Sequence, residues 1–379
     1  MRTIKHFFLL VIKFFVKIYF LSRYDVDFVY GNFDPKKDGP YFLIGNHVLL
    51  MDAIFSNLGI KGYAVPVTNS FAYFGFLRRL ALNNLIDSIV KRKGQSDIQT
   101  IKDIIKHVKM GDKISLYPEG NASYYGSNSD TVFSTAKLFK KLKVDVVSVL
   151  THGGYLSKPR WRDKRLKKGK IVLTYSTLLT KEQLQDMTIE EINDVLIKGY
   201  EFNDYQWNKV EKNKYIGKNR LVGAERLLYG CPKCLSIDTL VTSGDTIRCS
   251  KCDLHGEIND FGFLNNLPFD NISDWGMFQE DLLRNKKQIE IKINCELFEV
   301  DFDKYKFNSI IRGTLSYNDR KFIIESNDKD VIFDFSKIKG TAFSEADQFS
   351  FDYEEKTYTI VSNSPKLLLD LTKNYKEEL

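Results

Sequence analysis

The sequence has 379 residues, 43% of them apolar and 28% charged, which is the balance of a globular protein and excludes a low-complexity or repeat chain. The net charge of +7 suits an anionic membrane surface, phosphorylated ligands or nucleic acid, and does not choose between them. Four of the five cysteines form two Cys-x-x-Cys pairs, so we expect metal binding in a reducing compartment rather than disulfides.

The first 21 residues predict an amphipathic helix. Lys13 and Lys17 interrupt an apolar run, so no stretch approaches the ~20 apolar residues of a membrane-spanning helix. The Lys, Arg and His side chains fall within an arc of roughly 120°, which leaves a wide face of Phe and Leu. We expect residues 1–24 to lie as an interfacial helix on an anionic membrane, peripheral or monotopic at the cytoplasmic face of the cell membrane. The alternatives are a helix packed on the protein's own core and a tilted, snorkelling span.

Strands and helices alternate from residue 41 to about 180, which predicts an α/β fold with a mostly parallel sheet flanked by helices. The expected strands are 41–45, 62–66, 86–90, 113–117, 144–150 and 170–175. The expected helices lie near 51–58, 70–80, 97–109, 131–142 and 188–199. We expect residues 22–40 to form a short polar and aromatic connection.

The first of these strands ends in polar residues that can perform chemistry. The apolar run 41–44 is followed by Gly45 and Asn46, then by His47, with Asp52 five residues later. Five residues of regular helix separate two side chains by about 140°. His47 and Asp52 can therefore meet as base and orienter only if His47 lies in the turn before the helix and Asp52 in its first turns. The alternative is a core histidine beside an unrelated aspartate.

A second segment, residues 114–123, is another short apolar strand that ends in Pro118-Glu119-Gly120. Together the two segments resemble the glycerolipid acyltransferase family that includes the 1-acylglycerol-3-phosphate acyltransferases, with its Asn-His-x4-Asp and Phe-Pro-Glu-Gly-Thr-Arg-Ser motifs. The resemblance implies the fold of that family. It also implies transfer of an acyl chain from acyl-CoA or acyl carrier protein to an anionic lysolipid in phospholipid synthesis.

The same resemblance implies a role for each matching residue. His47 and Asp52 would be catalytic, and the acceptor would be bound by Asn46, Arg92, Glu119, Gly120 and Asn121, with Arg92 on its phosphate. Lys91 and Lys93 remain alternatives for that phosphate. The sequence departs from the family pattern at Leu49, where a Ser is usual, and at Asn121-Ala122, where Thr-Arg is usual.

The second half of the chain contains Cys231-x2-Cys234 and, fourteen residues on, Cys249-x2-Cys252. Two such knuckles can supply four thiolates to one Zn²⁺, which predicts a closed, structural zinc ribbon at 228–268. A redox pair is the lesser alternative, and no redox cofactor is expected. Cys295 is predicted to be a buried free thiol.

From about residue 275 the pattern becomes rich in short β runs. They lie at 289–301, 307–317, 321–326, 330–335, 349–353 and 357–361. A helical pattern follows them at the carboxyl terminus. A small barrel or sandwich is expected at 275–379, loosely resembling a pleckstrin-homology fold. The other expected boundaries are an acyltransferase domain at 25–205 and a linker at 206–227.

Other functions are compatible with parts of this pattern. The acceptor could be another lysophospholipid or glycerol 3-phosphate. The predicted ribbon and the basic cluster at 158–170, which contains Trp161, would also suit a nucleic-acid-binding protein. We nevertheless expect that nucleic acid is not a partner. That cluster would equally suit a membrane headgroup interface or a solvated loop. A degenerate domain that acts as a lipid-binding scaffold is the third hypothesis.

Overall fold

The computed structural model describes residues 2–49, 51–80, 82, 87–91, 98–128, 134–162, 169–286, 288–327, 329–343 and 345–377. The chain forms two compact units. The first comprises Met1–Lys158 and Lys167–Tyr215, and the second comprises Pro159–Leu166 and Ile216–Leu379. The second unit holds both the cysteine pairs and the β-rich region, which the sequence predicted as separate domains.

The first unit is a layered α/β structure. Its strands are β1 (Asp25–Tyr30), β2 (Tyr41–Gly45), β3 (Ala64–Asn69), β4 (Ile89–Lys91), β5 (Lys113–Leu116), β6 (Asp145–His152) and β7 (Lys170–Leu179). Its helices are α1 (Arg2–Arg23), α2 (Asp52–Leu58), α3 (Phe76–Leu80), α4 (Ile98–Lys109), α5 (Ser134–Leu142), α6 (Gly154–Ser157), α7 (Gln183–Asp186), α8 (Ile189–Gly199) and α9 (Asp204–Glu211), with a 3-10 turn at Ser70–Tyr73.

Within the described residues these strands form one seven-stranded sheet in the order β1-β7-β6-β2-β5-β3-β4. All neighbouring pairs are parallel except β6 and β7. The mostly parallel sheet predicted from the sequence is thereby confirmed. We call the edge at which β2, β5 and β6 end the carboxyl edge. Because β7 runs opposite to β6, β7 and its partner β1 begin at this same edge.

The connection predicted over residues 22–40 is wrong for residues 25–30, which form β1. This strand pairs with β7 from Asp25↔Lys170 to Tyr30↔Tyr175. Most of its side chains are exposed or half-buried, so it lacks the apolar run that marks the inner strands. Its backbone hydrogen bonds to β7 make it a strand, and those long-range bonds leave no local sequence signal.

The main core of the first unit lies between the sheet and helices α4, α5 and α8. Phe42 of β2 packs against Phe139 of α5, with ring centroids 4.6 Å apart. β2 is buried along its whole length, as expected for an inner strand of a sheet covered on both faces. On the other face, Phe20 of α1 contacts Phe55 of α2 at 4.7 Å.

Helix α1 packs on the first unit through Lys13 and Phe20 and leaves other aromatic side chains exposed. Lys13 donates to the carbonyl oxygens of Ile60 and Gly62 at 2.5 and 2.7 Å. Burial, and then the charges of Lys17 and Lys113, lowers the pKa of Lys13 to about 8. Phe14 and Phe15 are 61% and 64% exposed. Among the described residues, no helix combines the length and the apolar character needed to cross a bilayer.

The second unit contains two antiparallel sheets. The strands of the first are β8 (Leu240–Ser243), β9 (Thr246–Cys249), β10 (His255–Ile258) and β11 (Leu264–Asn265). Helix α10 (Ile272–Asn285) follows. The strands of the second sheet are β12 (Lys292–Asp301), β13 (Lys306–Asn318), β14 (Lys321–Glu325), β15 (Val331–Asp334), β16 (Ile338–Phe343), β17 (Gln348–Tyr353) and β18 (Lys356–Ser362). Helix α11 (Pro365–Glu377) ends the described chain, and 3-10 turns lie at Ala224–Arg226 and Phe335–Lys337.

The larger of these sheets is a half-barrel. In the described residues its seven strands run in the order β15-β14-β13-β12-β18-β17-β16, and α11 packs on β16, β17 and β18. The β-rich region that the sequence predicted as a small barrel or sandwich is thus an antiparallel half-barrel. The sequence patterns missed β16 and α10. Helix α10 begins at Asn271, whose side chain accepts from the Asp274 N–H, and it buries Trp275 and Leu283.

A buried polar network ties the cysteine-bearing segment to α10 and α11. Lys366 is fully buried, and its Nζ lies 2.6 Å from Glu280 Oε1 and 2.6 Å from both carboxylate oxygens of Asp370. The Tyr229 hydroxyl, just before the first cysteine, donates to Asp370 Oδ2 at 2.7 Å. The Gln279 side chain accepts from Tyr229 N–H at 2.7 Å. These bonds fix the start of the cysteine-bearing segment on the two helices.

We expect Lys366→Met to destabilise the second unit by roughly 3–5 kcal/mol, because it leaves the buried Asp370 carboxylate without its cation. Chemical denaturation followed by circular dichroism measures the change. Lys337→Met is the matched control, since Lys337 pairs with Glu354 at 3.1 Å on the surface. An equal change in both variants would contradict the role given to the buried network.

Candidate active site and cysteine cluster

The central feature of the first unit is a hydrogen-bonded His–Asp pair at the carboxyl edge. His47 lies in the loop after β2, and Asp52 is the first residue of α2. His47 Nδ1 and Asp52 Oδ2 are 2.8 Å apart. The His47 side chain is 21% exposed and that of Asp52 is almost fully buried. The loop-then-helix arrangement that the five-residue spacing requires is present.

Asp52 holds this loop as well as the imidazole. Its Oδ2 also accepts from the N–H groups of Val48 and Leu49, at 2.7 and 2.8 Å. An ionised carboxylate can only accept, so in a neutral His47 imidazole Nδ1 carries the proton and Nε2 has the lone pair. The imidazole is therefore oriented as a base at Nε2.

The turn after β5 packs against His47 from the neighbouring strand. Glu119 Oε1 accepts from the His47 N–H at 3.0 Å, and Ser123 N–H donates to the His47 carbonyl at 2.6 Å. The Tyr117 ring lies against the imidazole, with centroids 4.9 Å apart and a tilt of 32°. Its hydroxyl is 3.1 Å from Ser56 Oγ on α2. Burial and then the charge of Asp52 raise the pKa of Tyr117 well above its ordinary value, so the phenol stays neutral.

The remaining predicted acceptor residues have different surroundings. Gly120 is exposed with φ +73°, a left-handed conformation that favours glycine, and Asn121 beside it is half-buried. Asn46 is fully buried, and its amide exchanges hydrogen bonds of 2.8 and 2.7 Å with the Thr151 backbone. It joins the ends of β2 and β6, and its contact with substrate stays a prediction.

The predicted phosphate ligand, Arg92, lies outside the described residues, as does its alternative Lys93. The other alternative, Lys91, is described: it is the last residue of β4 and is exposed. Since β4 is parallel to β3 and β3 to β5, Lys91 lies at the carboxyl edge.

A second His-x4-Asp pair shows why spacing alone does not define the site. His107 Nδ1 lies 2.8 Å from Asp112 Oδ2, and the His107 side chain is 20% exposed. His107 lies in the last turn of α4, and Asp112 follows the helix just before β5, at the opposite edge of the sheet. There the pair closes the end of a helix. His107 is therefore a close internal reference for His47.

The sequence patterns did not indicate the surroundings of two polar side chains near the end of β6. Asp204, predicted to be near the start of a linker, is fully buried and accepts from Gly153 and Tyr155 N–H at 2.9 Å each. Burial raises its pKa to about 7. His152, at the end of β6, stacks on Trp207 with centroids 5.4 Å apart. No local motif marks these residues, because only the folded chain brings α9 to the end of β6.

The aromatic residue of the basic cluster is not at a surface. Trp161 is 1% exposed, and its indole N–H donates to the Arg220 carbonyl at 3.0 Å within the second unit. The headgroup or nucleic-acid contact suggested for Trp161 is therefore wrong. Residues 163–168 of that cluster lie outside the described chain.

Four cysteines of the second unit converge on one point. Cys231 and Cys234 precede β8, Cys249 ends β9, and Cys252 follows it. Their sulfur atoms all lie within 4.8 Å of one another, with Cys231–Cys252 at 3.7 Å and Cys234–Cys249 at 3.8 Å. Metal–sulfur bonds of about 2.3 Å in a tetrahedron give sulfur–sulfur distances of about 3.8 Å. The four thiols can therefore hold one metal ion.

Hydrogen bonds around the cluster favour thiolates at two of the four positions. Burial raises the pKa of the Cys249 thiol, but hydrogen bonds from Thr239 Oγ1 and from backbone N–H groups outweigh burial and lower it to about 6. Burial at Cys234 is likewise outweighed, chiefly by Ser236, and its pKa is lowered. Cys295 is buried, and burial raises its pKa to about 11, as predicted for a free thiol outside the cluster.

We expect the purified protein to contain about one metal ion per chain, and Cys249→Ser to lose most of it, because one of four ligands is removed. Mass spectrometry of the metal content measures this. Cys295→Ser, which removes a buried thiol outside the cluster, should keep the ion. Equal metal content in Cys249→Ser and Cys295→Ser would contradict the assignment of the four cysteines as a metal site.

No family model and no curated protein matches this chain. Among solved structures, the chain is similar to that of the 1-acyl-sn-glycerophosphate (LPA) acyltransferase PlsC from Thermotoga maritima, at 18% sequence identity and a TM-score of 0.40. The likeness covers 49% of this chain and 73% of that chain. At this identity and TM-score the likeness carries no argument about function, which depends on the geometry above.

Proposed function

We propose that the first unit is an O-acyltransferase that moves a fatty acyl chain from a thioester donor to the hydroxyl of 1-acylglycerol-3-phosphate, giving phosphatidic acid. The observation that carries the proposal is the 2.8 Å His47–Asp52 pair at the carboxyl edge, backed by Glu119 from the neighbouring strand. Both segments that the sequence related to glycerolipid acyltransferases meet at this point.

The pair suits proton transfer from an alcohol. His47 Nε2 takes the proton as the substrate oxygen attacks the thioester carbonyl, and Asp52 stabilises the imidazolium that forms. The carbon–sulfur bond then breaks, and the departing thiolate receives the proton from His47. The substrate hydroxyl is itself the nucleophile, so this route needs no acyl-enzyme.

The turn at Glu119 positions His47. Its carboxylate holds the His47 backbone, and the exposed Gly120 beside it leaves open space where a side chain would stand. Attack on the thioester carbonyl turns its oxygen into an oxyanion, which backbone N–H groups can stabilise. The Gly120 N–H already donates to the Tyr117 carbonyl at 3.2 Å, so it is not proposed as such a donor. Glu119, Gly120 and Asn121 are proposed to face the acceptor.

We further propose that α1 lies on the cytoplasmic surface of the cell membrane. Lys13 faces the body of the unit, so the exposed Phe14, Phe15 and Ile18 are available to an apolar phase. A helix of this kind binds in the interfacial plane, with its aromatic face among the acyl chains. This arrangement would present a lysolipid to the enzyme without its leaving the bilayer.

For the cysteine cluster we propose Zn²⁺. Four sulfur ligands at tetrahedral spacing are typical of zinc or of iron–sulfur centres, and a single-ion site of this size fits zinc. With four protein ligands the ion would be structural, joining the two cysteine-bearing turns.

We expect His47→Ala to lower kcat/KM for acyl transfer by roughly 10²- to 10⁴-fold, the usual contribution of a general base. Asp52→Asn should also be severely impaired, since Asp52 fixes the Nδ1 proton. The measurement is a lipid-product assay with acyl-CoA and acyl carrier protein as donors, and 1-acylglycerol-3-phosphate, other lysophospholipids and glycerol 3-phosphate as acceptors.

His107→Ala is the matched control for that assay, because it removes a histidine of equal spacing, pairing and exposure at the opposite edge. Its turnover should equal that of the wild type. Ordinary turnover in His47→Ala would refute the mechanism, whereas a wild type inactive with every donor and acceptor would refute acyl transfer itself.

We expect Phe14→Ser combined with Phe15→Ser to weaken binding to vesicles of 30% phosphatidylglycerol by at least about tenfold, because two exposed rings lose their apolar contact with lipid. Sedimentation measures the bound fraction. The control is Ile197→Ser with Val210→Ser, which removes exposed apolar groups from α8 and α9. Equal binding by both double variants would rule out the interfacial role of α1.

A further inference from the structure

The buried carboxylate of Asp204, the first residue of α9, takes no part in the chemistry proposed so far. Its Oδ1 accepts from the Gly153 N–H and its Oδ2 from the Tyr155 N–H, at 2.9 Å each. The Leu156 N–H is a third donor to this carboxylate. All three donors belong to residues 152–156, which follow β6 and which we call the β6 turn. A buried charge needs such partners, so the carboxylate and the turn hold one another.

Three titratable groups of neighbouring elements interact with Asp204. His152 Nδ1, at the end of β6, lies 3.9 Å from Asp204 Oδ1, and burial lowers the pKa of this histidine. Burial and then the charge of Asp204 raise the pKa of Tyr215, so this phenol stays neutral. The charge of Asp52 on α2 opposes ionisation of Asp204. Since the pKa of Asp204 is raised above its unfolded value, its ionisation costs stability as the pH rises through that interval.

The β6 turn lies against the loop that carries His47. Gly154 is so close to this loop that a Cβ in its place would come within 2.8 Å of Val48 Cγ2 and 3.5 Å of Leu49 Cδ1. Val48 and Leu49 are the residues whose N–H groups bind Asp52 Oδ2. A displacement of the turn is therefore passed to the loop that shapes the His–Asp pair.

A chain of hydrogen bonds links α9 to His47 along a second route. The Asp204 N–H donates to the Gly126 carbonyl at 2.9 Å, and the Gly126 N–H donates to Ser123 Oγ at 2.9 Å. The Ser123 N–H then donates to the His47 carbonyl at 2.6 Å. The start of α9 is thus connected to the His47 loop from both sides.

Resting on the proposed acyl transfer, we propose that Asp204 is a positioning residue of that reaction. Its carboxylate fixes the β6 turn, and the turn keeps the loop after β2 in the shape that orients His47 for proton transfer. Asp204 acts through Gly154 and the loop, and not by contact with the substrate. Because only the ionised carboxylate accepts at both oxygens without carrying a proton, the full activity requires ionised Asp204.

The test compares the full-length wild type with Asp204→Asn, which keeps the size of the side chain, replaces one acceptor oxygen by a donor and does not titrate. The matched control is Asp145→Asn. Asp145 begins β6 at the opposite edge of the sheet, its side chain is 14% exposed, and it accepts from the Lys181 N–H at 2.7 Å. Circular dichroism establishes that each variant is folded.

At pH 8 we expect kcat of Asp204→Asn to fall roughly tenfold with KM within about twofold, and the control to stay within about twofold in both, because only the first variant misplaces the base. From pH 8 to pH 6, kcat of the wild type should fall roughly fivefold further than that of Asp204→Asn, since the pKa of Asp204 is about 7. A loss of folded protein alone would not remove this difference in pH dependence.

Gly154→Ala tests the same contact without changing a titrating group. Its methyl group presses on Val48, so kcat should fall while the pH dependence of the wild type is kept. If Asp204→Asn does not fold, this variant decides the question, and unchanged turnover in Gly154→Ala would then refute the positioning role.

A second arm measures hydrogen exchange of the Val48 and Leu49 N–H groups by NMR at pH 8 and needs no turnover. Exchange should be roughly tenfold faster in Asp204→Asn and unchanged in Asp145→Asn, because only the first variant loosens the loop. Unchanged exchange or unchanged kcat in Asp204→Asn refutes the positioning role. A wild type that is inactive with every donor and acceptor instead refutes the proposed function, on which the exchange arm does not depend.

Discussion

One oxygen atom, Asp52 Oδ2, organises the candidate active site. It accepts from His47 Nδ1 and from the N–H groups of Val48 and Leu49, all within 2.8 Å. The two backbone bonds shape the loop between β2 and α2, and the third sets the tautomer of the imidazole. The Glu119 carboxylate then holds the His47 N–H from the neighbouring strand. The loop and the base are therefore positioned together, and changing the carboxylate disturbs both.

The direction of the strands decides which elements lie at the carboxyl edge together with Asp52 Oδ2. Because β6 and β7 are antiparallel, the edge that carries His47 also receives the starts of β7 and β1, and with them the end of α1. Lys13 of α1 donates to the carbonyls after α2, and Leu9 and Phe20 of the same helix are buried. Phe14, Phe15 and Ile18 of this helix are exposed.

Much of the fold could be read from apolar patterning. The strands β2, β5 and β6 and helices α4 and α8 lie close to their predicted bounds, because buried runs and helical spacing are local signals. β1 was missed, since a strand with few buried side chains is defined by its partner, and β16 was missed as well. Helix α10 was missed at an expected domain boundary. There its buried face is recognisable only against the cysteine-bearing segment and α11, which it joins through Gln279 and Glu280.

The sequence by itself determined the chemistry available: the His47–Asp52 spacing after a strand, the Pro-Glu-Gly turn and the four paired cysteines are covalent facts of the chain. Only the tertiary structure decided which of these residues lie together at one edge of the sheet and which are buried elsewhere. His107 and Asp112 have the same spacing, but they lie at the opposite edge and close a helix. Trp161 was predicted at a surface and is buried in the second unit. The physical reason is that burial and the partners of polar groups are set by segments far apart in sequence, which meet only when the sheet and the half-barrel form.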